Sequence, residues 1–396
     1  MAIDDRWLLP DGIEELLPPE ARRLESLRQA LLSLYDSWGY EQVIPPFVEF
    51  LESLLTGTGN DLDLQTFKLT DQLSGRLLGV RADMTPQVAR IDAHLRRDAL
   101  TRFCYMGTVL RTRGDGFGGS RSPIQVGAEL YGHDGYESDV EILRLMLQTL
   151  AVAGLAEVHL DLGHVAIYRG LARQAALTQE QERLLFDALQ RKALPEIQEQ
   201  LHSYTLGTAM REMLLALAEL HGGEDVLDSA AYILREAPRD VQQALATLRQ
   251  TAAAVRRQEP DLPIHCDLAE LRGYHYHTGL VFAAYVPGYG QAVAKGGRYD
   301  GIARVFGHAR PATGFSADLR TLLALSATRE ASPTGIFAPE QEDPALEHCI
   351  AALRRNGTRV IRALPGARAD PLELGCDRIL SKHDGVWRVE PLNADS

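Results

Sequence analysis

The stretch Arg272-Gly-Tyr-His-Tyr-His-Thr-Gly279, with Lys295-Gly-Gly-Arg-Tyr-Asp-Gly301 downstream, decides how this chain is read. On an extended strand His275 and His277 lie two positions apart and share a face. A zinc site needs at least one more converging ligand, and no spacing in the chain supplies it. Lys295-Gly-Gly-Arg298 equally fits a tight turn. Upstream, Arg111-Thr-Arg-Gly-Asp-Gly-Phe-Gly-Gly119 is glycine-rich but lacks the Gly-Lys-Ser/Thr ending of a phosphate-binding loop, so a hairpin turn explains it as well.

Around these motifs lie 396 residues, more than one core usually holds, so two or more domains are expected. With 45% hydrophobic and 24% charged residues the chain is predicted to fold, not to remain disordered. Its formal net charge of −13 argues against a nucleic-acid partner, because phosphate neutralisation by Lys and Arg supplies most of that affinity. The opening residues Met1-Ala-Ile-Asp-Asp-Arg6 lack the apolar core of a signal peptide. No run reaches the roughly 18 apolar residues of a membrane span, so a cytoplasmic protein away from membranes is expected. Cys104, Cys266, Cys349 and Cys376 are scattered and form no Cys-x-x-Cys pair, which reads as buried free thiols. No metal and no cofactor is expected.

Leu24, Leu27, Leu31, Leu34 and Tyr35 recur at helical spacing and predict a helix over 20–38 with Gly39 as its stop. Tyr40 to Phe50 reads as a short strand broken by Pro45-Pro46, which suits a strand end or sheet edge. Ser138-Asp-Val-Glu141 and Thr178-Gln-Glu-Gln181 both have the form of a capping box. Glu157 to Leu162 alternates with the strand period. Leucine- and alanine-rich helical patterns fill about 166–259, and strands resume at Leu262 and Val281. After Ala331 the pattern becomes a small α/β unit: strands near Gly335–Pro339, Arg359–Ala363, Arg378–Leu380 and Val386–Val389, with a helix over 344–356.

In this order the segments resemble histidyl-tRNA synthetase over roughly residues 5 to 325. Tyr40 to Glu49 resembles motif 1, which forms the dimer interface in that family. Leu78-Gly-Val-Arg-Ala-Asp-Met-Thr-Pro-Gln-Val-Ala-Arg90 resembles the loop that grips the α-amino group of the amino acid. Arg102 to Arg111 and Ile124 to Glu129 resemble the halves of motif 2, and Ala312 to Arg320 resembles motif 3. The two opening stretches resemble the histidine-binding signature. The resemblance implies an α+β fold, a class II aminoacyl-tRNA synthetase-like antiparallel sheet flanked by helices over 1–325. An all-helical insertion over about 166–259 would interrupt it, and a small C-terminal α/β domain would occupy 332–396. It also implies a histidine pocket. Asp83, Thr85 and Gln125 would face the α-ammonium group, and Arg111 with Arg272 the carboxylate. Glu129, Tyr276 and Tyr274 would hold the imidazole nitrogens. A zwitterion with a ring N–H needs such a set of acid, cation and acceptor.

The departures carry as much meaning. Arg113 stands where class II synthetases place the glutamate that reads the adenine amino group, and a guanidinium has donors alone. Asp83-Met84 replaces the usual Glu-Gly, and His277 and His275 stand where the family has a tyrosine and an aspartate. Motif 3 reads Asp318-Leu319 before Arg320. The tail is short and punctuated by Glu340, Glu342, Asp343 and Glu347, unlike an anticodon-binding domain. Taken together the chain resembles the regulatory subunits of ATP phosphoribosyltransferase, synthetase paralogues that accompany the short form of the catalytic subunit. That resemblance implies no catalytic residues and no activity of its own. It implies a homodimer within a hetero-oligomer with the short-form ATP phosphoribosyltransferase catalytic subunit. L-Histidine would be the effector, restraining the first step of histidine biosynthesis. A divergent histidyl-tRNA synthetase activating histidine with ATP is the alternative, and a stand-alone histidine sensor the third.

Overall fold

The computed structural model describes residues 8–56, 60–114, 119–270, 273–274, 276–307, 309–326, 334–367 and 370–392. The chain divides into two compact units, Met1–Thr328 and Arg329–Ser396. The first unit supplies β1 (Glu41–Gln42), β2 (Val48–Phe50), β3 (Phe67–Thr70), β4 (Leu77–Val80), β5 (Thr101–Thr108), β6 (Ile124–Tyr131), β7 (His159–His164), β8 (His221–Gly222), β9 (Ile264–Asp267), β10 (Leu280–Tyr285), β11 (Ala294–Arg298) and β12 (Ala312–Asp318). Nine of them form one sheet in the order β1-β5-β6-β12-β11-β10-β7-β9-β8, and β2-β4-β3 form a second. Every pair from β5 across to β7 is antiparallel. The flanking pairs β1·β5 and β7·β9 are parallel. Pro45-Pro46 lies between β1 and β2, and these go to different sheets; a residue without an N–H cannot carry a ladder onward.

Alternation along the central strands gives the large sheet two unlike faces. Cys104 and Met106 of β5, Val126, Ala128 and Leu130 of β6, and Phe315 and Ala317 of β12 enter the main core. The helices Glu20–Ser37, Tyr136–Val152, Val165–Gln174 and Arg239–Gln258 contribute to that same core. The intervening residues, among them Phe103, Tyr105, Tyr131 and Ala312, point the other way. There they meet Met84, Val88, Ala89 and Ala93 of the helix Thr85–Leu95 and its approach. Because a side chain changes face with every residue, the register alone decides which residues meet on each face.

Several expectations need correction. The insertion is helical except for β8, which pairs antiparallel with β9. Gly222 there has φ +148°, a backbone angle that a helix cannot include. Its helices share the main core: Leu185, Leu201, Leu214 and Leu248 are fully buried in the same cluster as the sheet. Ser138 does not cap a helix. That helix begins at Tyr136 after Gly135, and the Ser138 hydroxyl donates to the Gly135 carbonyl at 2.7 Å and accepts from Arg298 at 2.8 Å. By contrast Thr178 makes a full capping box: Gln181 N donates to its Oγ1, and its own N donates to Gln181 Oε1 at 2.9 Å. Tyr274, Tyr276 and His277 lie in turn and loop, not on a strand; His275 and Arg272 are outside the described residues.

The second unit has β13 (Gly335–Ala338), β14 (Val360–Arg362), β15 (Cys376–His383) and β16 (Val386–Pro391), ordered β14-β13-β15-β16. Leu346 and Ile350 of the helix Pro344–Arg355 pack with Ile336, Ala338, Val360 and Leu380. Asp343 caps that helix by accepting from Ala345 N at 2.9 Å. Lys382 and Trp387 also donate to it and hold its carboxyl down to about 2.

Candidate functional site

The face of the large sheet away from the main core carries a cleft of about 330 Å³. Its floor is set by cross-strand register: Glu129 of β6 lies opposite Gly314 of β12, and Gly314 opposite Gly297 of β11. One step along, Gly127 faces Ser316, Ser316 faces Lys295, and Lys295 faces Ala283 of β10. Small residues at the centre of this face leave room above the sheet that side chains fill elsewhere.

One wall is the segment entering the helix Thr85–Leu95. Pro86 sits in the first turn, where its missing N–H costs nothing. Asp83 Oδ1 accepts from Thr85 N at 2.9 Å and from Gln125 Nε2 at 2.7 Å, while Gln125 Oε1 accepts from Met84 N at 2.8 Å. The amide of Gln125 therefore pins the Asp83 carboxylate from the neighbouring strand. Thr85 Oγ1 lies 3.0 Å from the Tyr105 hydroxyl, which donates to Glu129 Oε1 at 2.9 Å. Tyr299 donates to the other oxygen of Glu129 and lies 3.4 Å from the Tyr131 hydroxyl. An unbroken hydrogen-bonded run thus joins Gln125, Asp83, Thr85, Tyr105, Glu129, Tyr299 and Tyr131.

Glu129 is fully buried, and burial raises its carboxyl to about 8, against the lowering pull of the Tyr299 and Tyr105 hydrogen bonds. Burial also drives Tyr105, Tyr131, Tyr276 and Tyr299 well above the usual phenol range, so all four remain hydrogen-bond donors. Tyr276 stacks on Tyr299 at a ring separation of 5.1 Å. Its buried hydroxyl has no hydrogen-bond partner among the described residues. A buried polar group without a partner is costly, so this one is poised to take a bond from a ligand. An acid flanked by tyrosine hydroxyls, with a second acid at Asp83, can seat a planar ring carrying N–H groups beside an ammonium group.

The glycine floor is a requirement of this arrangement. A Cβ on Gly314 would stand 1.6 Å from Glu129 Oε2 and 2.8 Å from the Ala128 carbonyl. Gly314→Ala is expected to displace Glu129, abolish measurable ligand binding and cost about 1–3 kcal/mol of stability, as overpacked interiors do. Calorimetry and thermal melts read the two effects, and a variant that binds normally would show that Glu129 does not have to stay in place.

A second cleft of about 460 Å³ adjoins the first and shares Lys295 and Ser316 with it. Arg111 and Gln125 line this second cleft, with Tyr285, Tyr289 and Asp318. Arg111 Nε donates to the Ala82 carbonyl at 3.3 Å. Asp318 is occupied structurally: Oδ1 accepts from Ile124 N and Arg320 N, and Oδ2 from Thr321 Oγ1 at 2.8 Å. Arg113 is exposed and lines neither cleft.

Of the residues proposed from sequence, Asp83, Thr85, Glu129 and Tyr276 come together in the first cleft, and Gln125 braces Asp83 from behind. Arg111 stands in the adjoining one, and Arg272 lies outside the described residues. Tyr274 is not brought to the cleft. Its hydroxyl donates to Glu182 and its ring packs on Tyr168 and Phe186, towards the helix Gln179–Gln190. Sequence reasoning passed over Tyr105, Tyr299, Asp161, Glu270 and Lys295, which frame the cleft or its hydrogen bonds. Among the described residues no group of three His, Cys, Asp or Glu side chains is placed to hold a metal ion.

The histidyl-tRNA synthetase family model matches residues 12–322, and the model of the ATP phosphoribosyltransferase subunit HisZ C-terminal domain matches residues 333–390. A protein of Thioalkalivibrio sulfidiphilus, an ATP phosphoribosyltransferase regulatory subunit, is 62% identical over 99% of this chain and all of its own length. One from Alkalilimnicola ehrlichii with the same description is 58% identical over 98% of each chain. A crystal structure described as an ATP phosphoribosyltransferase regulatory subunit/histidyl-tRNA synthetase, from Bacillus halodurans, aligns at a TM-score of 0.80. It shares 26% identity and covers 93% of this chain and 95% of that one.

Proposed function

Since the chain belongs to the family of ATP phosphoribosyltransferase regulatory subunits, we propose that its first cleft is the histidine sensor through which the first step of histidine biosynthesis is restrained. The chain is a non-catalytic regulatory subunit of that enzyme. The observation that carries the histidine assignment is the run from Asp83 to Glu129, with the Tyr276 hydroxyl, unpartnered among the described residues, beside it. Asp83, fixed by Gln125, receives the α-ammonium group; Glu129 and Tyr276 receive the imidazole nitrogens. Charge-assisted hydrogen bonds of this kind are worth roughly 1.5–3 kcal/mol each, enough for micromolar affinity after ordering costs.

The partner is the short-form catalytic subunit, met by a homodimer of this chain within a hetero-oligomer. We place the complex in the cytoplasm; no helix among the described residues is long and apolar enough to cross a membrane. Histidine acts by binding more tightly to the inhibited state of the complex than to the active one. Couplings of that type typically run to about 1–3 kcal/mol.

Adding this chain to the short catalytic subunit is therefore expected to raise phosphoribosyl transfer to ATP. It should also lower the histidine concentration that half-inhibits it by about five- to a hundredfold. Steady-state kinetics of the mixture check this, and rates that ignore the added chain would overturn the regulatory reading. Histidine-dependent exchange of pyrophosphate with ATP, the signature of a synthetase, is expected to be absent.

A further inference from the structure

We propose that Lys295 holds the carboxylate of the bound amino acid and so makes the cleft prefer an amino acid over the matching amine or amino alcohol. The inference rests on the histidine reading above and assigns the one end of the ligand that the Asp83–Glu129 run leaves unpartnered.

Four carboxylates line the cleft, Asp83, Glu129, Asp161 and Glu270, against a single Lys or Arg among its described lining residues, Lys295. Two of the acids are satisfied by neutral groups, Asp83 by Gln125 and Thr85 and Glu129 by two tyrosines. Asp161 faces His265 at 3.5 Å. Lys295 makes no hydrogen bond or ion pair through its side chain among the described residues. A carboxylate entering this field without a cation would be repelled, and Lys295 is the uncommitted cation among the described lining residues.

Register puts it at the right place. Lys295 and Glu129 are on the same face, two strands and two residues apart, because Lys295 pairs with Ser316 and Ser316 with Gly127. That separates their Cα atoms by about 12 Å at the usual spacings of ~4.8 Å between strands and ~3.4 Å per residue. The four-carbon stem of lysine and the carboxyl arm of Glu129 leave between them a span suited to one amino acid lying across Gly314 and Ser316 of β12. Asp83, held to β6 through Gln125, faces the third corner. Of the two carboxylate partners expected from sequence, Arg111 lines the adjoining cleft instead and Arg272 lies outside the described residues.

The test compares L-histidine with L-histidinol, in which the carboxylate is replaced by a hydroxymethyl group, by calorimetry on the intact regulatory subunit. The wild type should bind histidine more tightly than histidinol. Lys295→Met should weaken histidine about ten- to a hundredfold, the range for a charged hydrogen bond, and leave histidinol within twofold. Lys295 is exposed, so unfolding should not confuse the result, and an unchanged melting temperature checks this. Arg111→Met should leave the preference in place. Wild-type affinity for histidine in the Lys295 variant, equal weakening of both ligands, or loss of the preference in the Arg111 variant would each overturn the assignment. A wild-type protein that binds neither ligand would show the histidine reading itself to be at fault, and Lys295 would fall with it.

Discussion

The Glu129→Gln variant is expected to bind L-histidine about a hundredfold more weakly than the wild type, a loss within the range of one charge-assisted contact. Glutamine keeps the volume and one acceptor for Tyr105 or Tyr299, so the fold should survive. The pH dependence is the sharper readout. Free Glu129 loses its proton near about 8, whereas free histidine protonates its ring at about 6.5. The bound pair holds one proton between them. Above about 8 that proton must be taken up from solution on binding, and below about 6.5 an extra one must be released. Wild-type affinity is thus expected to peak between these values and to fall on both sides, and the Glu129→Gln variant should lose the fall on the alkaline side. Stability follows the same group. Its raised carboxyl keeps a proton in the folded chain that the unfolded chain surrenders near 4.5. The contribution is complete below about 4.5 and is lost as pH rises through about 8, so the variant should show a flatter stability profile across that interval. Affinity independent of pH in the wild type would remove Glu129 from the ring contact.

Arg298→Met should be the most destabilising of these substitutions, at about 3–5 kcal/mol, the usual cost of removing one partner from a buried ion pair. Arg298 is 7% exposed and pairs with Asp139 at 3.1 Å. It also donates to the His133 and Gly135 carbonyls, both at 3.1 Å, and to Ser138 Oγ at 2.8 Å. The Gly-Gly-Arg signature therefore bolts the end of β11 to the first turn of the helix Tyr136–Val152. Burial raises the Asp139 carboxyl even with the guanidinium beside it. Removing Arg298 leaves that acid without its countercharge, and the paired change Arg298→Met with Asp139→Leu should recover part of the loss. Denaturant unfolding checks both, and equal stability of the single variant and the wild type would show the pair to be dispensable.

Much of the architecture could be read along the chain because its signals are local. The helix Glu20–Ser37 has its leucine stripe, Gly39 follows at φ +78°, and Thr178 has Gln181 three residues on. The misreadings have long-range causes. Ser138 has every local mark of a cap, yet an arginine 160 residues away takes its hydroxyl. Tyr274 and Tyr276 look equivalent on a supposed strand, but a turn sends Tyr274 to Glu182 and leaves Tyr276 against Tyr299. Tyr105 and Tyr299 read as ordinary interior aromatics, since nothing near them in sequence discloses that register brings both to one carboxyl. Lys295 gives no local sign of its place either, because its neighbours in the cleft belong to other strands.

β7 and β9 lie side by side and run in the same direction, with Leu160 opposite Ile264. Everything between His164 and Ile264 is thus the route by which the chain returns to its starting edge before laying down β9. Two strands that point the same way cannot be closed by a tight turn; the return path needs a dozen residues or more, usually through a helix. A protein engineer therefore cannot delete the leucine-rich excursion without unthreading the sheet, and trimming it would uncover the interior that Leu185, Leu201, Leu214 and Leu248 fill.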